Sequence, residues 1–170
     1  RHRTMLSDKM LKALNRQMNA ESASAYLYMG MAAWLDARNL RGCAAWMKAQ
    51  AQEESLHAVK FYDYINERGG KAVLAAIEAP PAEWNSPQAV FEGVRDHERK
   101  VTQGINELVD LAAAERDHAT NAFLQWFVSE QVEEEANAED LVHKIGMVGQ
   151  HPHGLYMLDR ELGKRKAGGD

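Results

Sequence analysis

Apolar residues recur at alternating steps of three and four along four long segments of the chain, which is the spacing of a buried helix face. These segments predict helices over about 8–38, 41–68, 87–115 and 120–147, and a shorter segment predicts a fifth helix over 155–162. Ser7 and Ser86 are suitable N-caps, and Pro87 suits the first helical position. Gly69 and Gly70 end the second helix.

The links between these helices predict how the helices are arranged. The first and third links are short and favour antiparallel neighbours, whereas 69–85 is a long segment with two prolines and no apolar stripe. A helix of about 28 residues is about 42 Å long, which a link of this length can span. We therefore predict an all-α four-helix bundle with one long crossover between helices two and three, plus a short C-terminal fifth helix. The expected single domain covers 5–163, with flexible termini at 1–4 and 164–170.

Composition and charge narrow the class of protein. Apolar residues make up 45% and charged residues 26% of the chain, and the net charge of −5 disfavours nucleic acid and anionic membranes as partners. The apolar runs are too short to span a bilayer, and no secretory signal precedes the first helix. Cys43 is the single cysteine, so no intrachain disulfide can form. These features predict a cytoplasmic protein.

Polar residues interrupt each apolar stripe in the interior of its helix. In antiparallel helices of similar length, such positions meet at one level of the bundle. The residues concerned are Glu21, Glu54, His57, Glu98, Gln131 and Glu134. We expect them to form one buried cluster.

An internal repeat supports this cluster. Glu21 and Glu54 are 33 residues apart, and so are Glu98 and Gln131. A shift of 77 residues superimposes the first pair on the second. The chain is therefore interpreted as two related helical hairpins around a pseudo-twofold axis.

Such a cluster requires positive charge. Burying a charged carboxylate costs several kcal/mol, and no lysine or arginine lies on the four stripes. Protons could neutralise the acids, but two divalent cations do so better. Glu54 and His57 share one helix face at their spacing, and glutamate with imidazole suits iron or manganese, although zinc could also bind.

Five motifs resemble the bacterial non-haem branch of the ferritin family. Together they extend over almost the whole chain after Met5. They are NAESASAYLY at 19–28, QEESLH at 52–57, HERKVT at 97–102, LQWFVSEQVEEE at 124–135 and GLYMLDREL at 154–162. The resemblance implies a di-iron carboxylate protein.

The resemblance also implies a role for each matching residue. Glu21 and His57 would bind the first iron, Glu54 would bridge both irons, and Glu98 would bind the second iron beside Gln131. Tyr28 matches a candidate electron donor, and Trp126 matches a nearby aromatic residue. The outer acids that would hold a third iron are Glu53, Glu130, Glu133 and Glu134.

The function implied by the resemblance is iron storage with ferroxidase activity. Fe(II) would be oxidised by oxygen or hydrogen peroxide, and the ferric mineral would be kept in a hollow shell of twenty-four subunits. Haem is not expected, because Gln131-x-x-Glu134 replaces the second Glu-x-x-His motif of the haem-binding relatives, and Ser55 stands where those relatives have methionine. Two alternatives stay open at this point: a di-iron peroxidase of the same fold, and a metal-free bundle with protonated buried acids.

Overall fold

A computed structural model describes residues 5–166 of the chain, which form five helices. They are α1 (Asp8–Asp36), α2 (Arg41–Glu67), α3 (Pro87–Ala114), α4 (His118–Val148) and α5 (Pro152–Leu162). The predicted all-α bundle with a long crossover between α2 and α3 and a short fifth helix is confirmed. Residues 1–4 and 167–170, which belong to the expected flexible termini, lie outside the described residues. Within the described part, no helix is long and apolar enough to cross a membrane.

Side-chain caps define the start of three of the five described helices, which are α1, α3 and α4. The hydroxyl groups of Ser7 and Ser86 accept from the third backbone N–H that follows them, at 2.9 and 3.1 Å. Asp117 caps α4 in the same way, so α4 begins two residues earlier than predicted. The start of α5 also lies earlier than predicted, at Pro152, because proline fits a first turn that needs no N–H donor.

The two short links reverse the chain through single residues with positive φ. Asn39 has φ 59° between α1 and α2, and Arg116 has φ 55° between α3 and α4. The two positions are 77 residues apart, so the repeat seen in the sequence extends to the turns. Helix α1 packs on α2, and α3 packs on α4, as two hairpins.

The long crossover has no helix but is held along α1 by two asparagine side chains. Asn15 donates to the carbonyl of Lys71 at 3.0 Å and accepts from the N–H of Val73 at 2.6 Å. Asn19 repeats the pattern two crossover residues later, with Val73 and Ala75. Four helical residues rise about 6 Å and two extended residues about 6.6 Å, so the two spacings match.

The hydrophobic core consists of two clusters, one towards each end of the bundle. One contains Met31, Leu35 and Phe91, and the other contains Leu14 and Ile105. Along each of the four long helices, buried acids and amides lie between the residues of the two clusters. The core therefore surrounds a polar layer that water reaches poorly.

Candidate metal centre

The six polar stripe residues are all buried in the layer between the two core clusters. Their exposed fractions range from 0% for Glu54 and Glu98 to 5% for Glu134. Each of the four long helices contributes at least one of them, because each helix presents its inward face at the same level. The convergence expected from the sequence is present in the structure.

These side chains form two compact groups that share one carboxylate. Ligand atoms of Glu21, Glu54 and His57 lie within 4.8 Å of one another, and so do those of Glu54, Glu98 and Glu134. Because Glu54 belongs to both groups, its carboxylate lies between two positions that could each hold a cation.

Two oxygens in the first group are unsatisfied. Glu21 Oε2 and Glu54 Oε2 are buried without a hydrogen-bond partner among the described residues. His57 Nδ1 faces both, at 3.7 Å from Glu21 Oε2 and 3.4 Å from Glu54 Oε2, which is too long for a good hydrogen bond. A buried acceptor without a donor is costly, and a cation between these three atoms would satisfy all of them. The residues present therefore fit a metal ion.

The protonation of this group follows from burial and close charges. Burial lowers the pKa of His57, but the carboxylates of Glu21 and Glu54 outweigh it and raise that pKa to about 10. Burial together with the charges of Glu21 and Glu98 raises the pKa of Glu54 well above its usual range. Burial also acts to raise the pKa of Glu21, yet the close positive charge of His57 and the hydrogen bond from Gln17 lower it on balance. Without a metal, protons therefore supply part of the missing positive charge.

The second group is held by donors from α1 and α4. Tyr28 is fully buried and donates a very short hydrogen bond to Glu98 Oε1, while Gln131 Nε2 donates to Glu98 Oε2 at 3.1 Å. Burial and the Glu98 charge raise the pKa of Tyr28 well above its usual range, so the phenol keeps its proton. Gln131 also donates to Thr102 Oγ1 at 3.1 Å, which fixes its amide orientation.

Two further glutamines that the sequence analysis did not select orient the acids. Gln17 donates to Glu21 at 2.9 Å, and Gln50 donates to Glu54 at 3.2 Å and to Glu134 at 2.7 Å. In both helices the glutamine precedes its glutamate by four residues, and this repeated spacing was a usable signal. A substituent on Gly104 would lie 2.8 Å from the Gln17 oxygen, so this glycine makes room for the amide.

His97 is a half-buried residue that the sequence left without a role. Its Nε2 lies 2.7 Å from Ser24 Oγ, and its ring meets Tyr28 edge-on with 5.8 Å between centroids. Burial lowers the pKa of His97, which favours the neutral ring. His97 and Ser24 therefore pack around the phenol that holds Glu98.

Three of the four outer acids lie apart from the two compact groups, whereas the fourth, Glu134, belongs to the second group. Glu53, Glu130 and Glu133 join Glu134 in the wall of a cleft of about 890 Å³, and neither compact group includes these three residues. Burial, with the charges of Glu133 and Glu53, raises the pKa of Glu130. Trp126 also lines the cleft, with its ring edge-on to His57 at 5.3 Å.

The expected tail contributes a cation to this cleft. Arg165, which follows α5, donates through Nη2 to Glu53 Oε2 at 2.7 Å and to Gln50 Oε1 at 2.8 Å. The absence of lysine and arginine from the four stripes did not exclude a cation arriving from outside the bundle. Sequence reasoning had no signal for this contact, because 112 residues separate Arg165 from Glu53.

Four long helices that direct carboxylates and an imidazole into a shared core define a class of helical-bundle metal proteins. The chain belongs to the ferritin family within that class, since the Ferritin-like domain profile matches residues 11–148. The predicted family is thus confirmed.

Individual relatives agree with this assignment. The chain is 45% identical over 161 residues to the bacterial non-heme ferritin of Bacteroides fragilis strain 638R, covering 95% of this chain and 100% of the relative. It is 39% identical over 158 residues to the bacterial non-heme ferritin of Escherichia coli O157:H7, covering 93% and 96%. Among solved structures, an open pore ferritin from the hyperthermophilic archaeon Archaeoglobus fulgidus matches with a TM-score of 0.94 and 52% identity, covering 95% of this chain and 98% of that one.

Proposed function

We propose that the protein stores iron and oxidises Fe(II) to Fe(III) at an intrasubunit di-iron centre. The observation that supports this most directly is the position of Glu54, whose carboxylate belongs to both compact ligand groups. One divalent ion on each side of Glu54 would satisfy the unpartnered oxygens of Glu21 and Glu54. The names of the relatives, which are ferritins, support iron as the metal.

The ligand geometry indicates which residues would bind each iron. Glu21 and His57 would hold the first Fe(II), Glu98 would hold the second, and Glu54 would lie between them. Two Fe(II) ions would each give up one electron. Oxygen would take the pair with two protons to become hydrogen peroxide, or hydrogen peroxide would take the pair with two protons to become water. Hard carboxylate oxygens favour the more highly charged Fe(III) product, so Fe(II) bound to them would be easier to oxidise.

Iron binding at the centre is coupled to the release of protons from its ligands. The high pKa values of His57 and Glu54 mean that both groups bind protons near neutral pH in the absence of a metal. Coordination requires the unprotonated ligands, so iron binding releases these protons. Gln131, Gln17 and Gln50 keep the carboxylates in place while this exchange occurs.

The outer acids and the phenol would serve later steps. Glu53, Glu130, Glu133 and Glu134 supply carboxylates for a third iron beside the centre. Tyr28, which hydrogen-bonds to Glu98, would be a candidate electron donor to the oxidant beside the second iron. We propose the cytoplasm as the location of the protein, because a single cysteine suits a reducing compartment.

Substitution of Glu54 tests the proposed centre. Glu54→Gln keeps the shape of the side chain but removes the charge shared by both ion positions, so we expect fast Fe(II) oxidation to fall about 10- to 100-fold. Stopped-flow absorbance of ferric product measures the rate. Glu67→Gln removes an exposed acid from the same helix and should oxidise iron like the wild type. Oxidation by Glu54→Gln at the wild-type rate would refute the site.

The same samples separate storage from peroxide removal. A storage protein retains ferric iron far beyond the ions that its own carboxylates can bind, whereas a di-iron peroxidase turns over peroxide without accumulating iron. Iron per chain after aerobic loading and gel filtration measures the difference. Retention of three ions or fewer per chain would favour the peroxidase.

A further inference from the structure

Arg165 lies at the end of the described chain and reaches back onto α2. Its Nη2 bonds to Glu53 and Gln50, and its guanidinium packs over the Trp46 ring with 4.3 Å to the centroid. Only 20% of the side chain is exposed. These contacts therefore hold the positively charged guanidinium of Arg165 in a defined position beside the outer acids.

The contact with Gln50 connects Arg165 to the metal centre. Because Gln50 Oε1 accepts from Arg165, the amide must direct Nε2 the other way, and there it donates to Glu134 and Glu54. One amide thus separates the guanidinium from both compact ligand groups. A change at Arg165 alters the orientation of an amide that touches two candidate ligands.

The outer acids have mutual repulsion that a positive charge relieves. Glu53, Glu130 and Glu133 line one cleft with Glu134, and Arg165 lies among them. A divalent cation bound to Glu53 Oε2 would compete for the oxygen that Arg165 now uses. The guanidinium and such a cation therefore exclude each other at this oxygen.

Arg165 does not use all of its hydrogen-bond donors, so its displacement from Glu53 by a cation is feasible. Its second terminal nitrogen, Nη1, is buried without a hydrogen-bond partner among residues 5–166. A guanidinium with both terminal nitrogens engaged is held more strongly than one that uses a single nitrogen. Leaving this site also frees Nη1 to reach water, which offsets part of the lost bonding.

We propose that Arg165 is a built-in counter-ion of the outer acids, which a divalent cation displaces from Glu53, so that cation binding releases the segment 163–166 from α2. The inference rests on the outer cation site of the proposed function. Because the coupling is reciprocal, an attached segment weakens cation binding and a bound cation weakens attachment of the segment.

The first experiment measures Zn(II) binding, which involves no redox change, by isothermal titration of the assembled metal-free protein. The Glu130→Gln variant lacks one of the outer acids. The class of Zn(II) sites that disappears in this variant is therefore the outer class. Arg165→Gln should bind Zn(II) about tenfold more tightly in that class, within the range of typical coupling energies. Lys164→Gln and Lys166→Gln remove the same charge from exposed neighbours in the same cleft and should leave its affinity within about twofold of wild type.

The second experiment follows the segment itself. A spin label on Lys166→Cys should become more mobile when Zn(II) is added, and the label should already be mobile without Zn(II) when Arg165→Gln is also present. The native Cys43 is buried and should not react with the label.

The outcomes separate the two proposals. If Glu130→Gln removes no class of sites, the outer cation site is absent and the counter-ion proposal fails with it, whereas the inner centre is still judged by Glu54→Gln. If the class exists but Arg165→Gln leaves its affinity unchanged or weaker, and Zn(II) leaves the label immobile, Arg165 is a structural anchor and the counter-ion proposal alone is wrong.

Discussion

At the scale of single residues, burial controls the charge of the centre. Glu134 is 5% exposed, and burial together with the Glu98 charge raises the pKa of its carboxyl to about 7. The hydrogen bond from Gln50 opposes this rise but does not cancel it. A carboxyl that titrates near neutral pH can exchange its proton for a metal without a large change in pH.

The raised pKa of Glu134 predicts how the metal-free protein responds to pH. The folded carboxyl binds its proton more tightly than the unfolded one, so this contribution to stability is complete below about pH 4.5 and is lost as pH rises through about 7. The loss is at most roughly 3 kcal/mol per chain. We therefore expect the free energy of unfolding to fall from pH 5 to pH 8, and to fall less in Glu134→Gln.

Denaturant unfolding after chelation, at a fixed protein concentration, measures this slope. Glu67→Gln on the surface of α2 is the matched control and should retain the wild-type pH dependence. An equal slope in Glu134→Gln and wild type would contradict the assignment of the pKa.

At the scale of elements, α5 is attached to α2 by a very close approach. A substituent on Gly42 would lie 1.7 Å from the carbonyl oxygen of Asp159, so only glycine fits there. The backbone N–H of Cys43 donates to Asp159 Oδ1 at 2.8 Å and completes the attachment. Since Arg165 lies three residues after the last residue of α5, this contact also determines where the guanidinium lies.

Gly42→Ala should detach α5 from α2 while the four long helices stay folded. The added methyl group cannot be accommodated without backbone movement, and overpacking of this kind costs about 1–3 kcal/mol. Gly146→Ala in α4 is the control, because a substituent there meets nothing within 4 Å. Helix propensity alone should make Gly146→Ala neutral or more stable by up to about 1 kcal/mol.

Hydrogen exchange of α5 amides and thermal unfolding distinguish these variants. Gly42→Ala should exchange faster throughout α5 and unfold at a lower temperature than wild type. Unchanged protection of α5 in Gly42→Ala would show that the close approach does not hold the helix.

At the scale of the whole molecule, the two hairpins are related in backbone but only partly in chemistry, since Glu21 matches Glu98 whereas other polar positions differ. The 77-residue shift relates the turns at Asn39 and Arg116, yet it places Gln50 on Phe127.

Large apolar side chains also stay exposed on one face, where Tyr26, Met29 and Ile77 line a shallow concavity. An exposed apolar surface of this kind favours association with further copies of the chain.

We expect the protein to assemble into a closed homo-oligomer of twenty-four subunits. Twenty-four copies of the 19.1 kDa chain have a mass of about 458 kDa, which light scattering after gel filtration can measure. Tyr26→Glu places a charge on the exposed apolar face and should shift the mass towards smaller species, whereas Tyr156→Glu on exposed α5 tests a second surface. A monomer of 19.1 kDa for the wild type would refute the shell.

The helices and the membership of the buried cluster were predictable from the sequence, because both depend on periodicity. An acid at an interior stripe position points into the bundle wherever the helix forms, so Glu21, Glu54 and Glu98 could be grouped before any coordinates were known. The capping residues Ser7 and Ser86 likewise located the starts of α1 and α3. The start of α5 was placed too late because the stretch around His151 and Pro152 was interpreted as a break instead of a first turn.

The hydrogen-bond partners within the centre were decided by the tertiary structure alone. Distances between residues far apart in the chain determine which oxygen accepts from Gln50 and where Arg165 binds. Such a distance also explains why position 42 is glycine. Periodicity defines a direction around one helix axis, but it does not define the spacing between helices or the path of a terminal segment. The chain by itself thus determined which side chains are buried together, and packing decided which atoms among them meet.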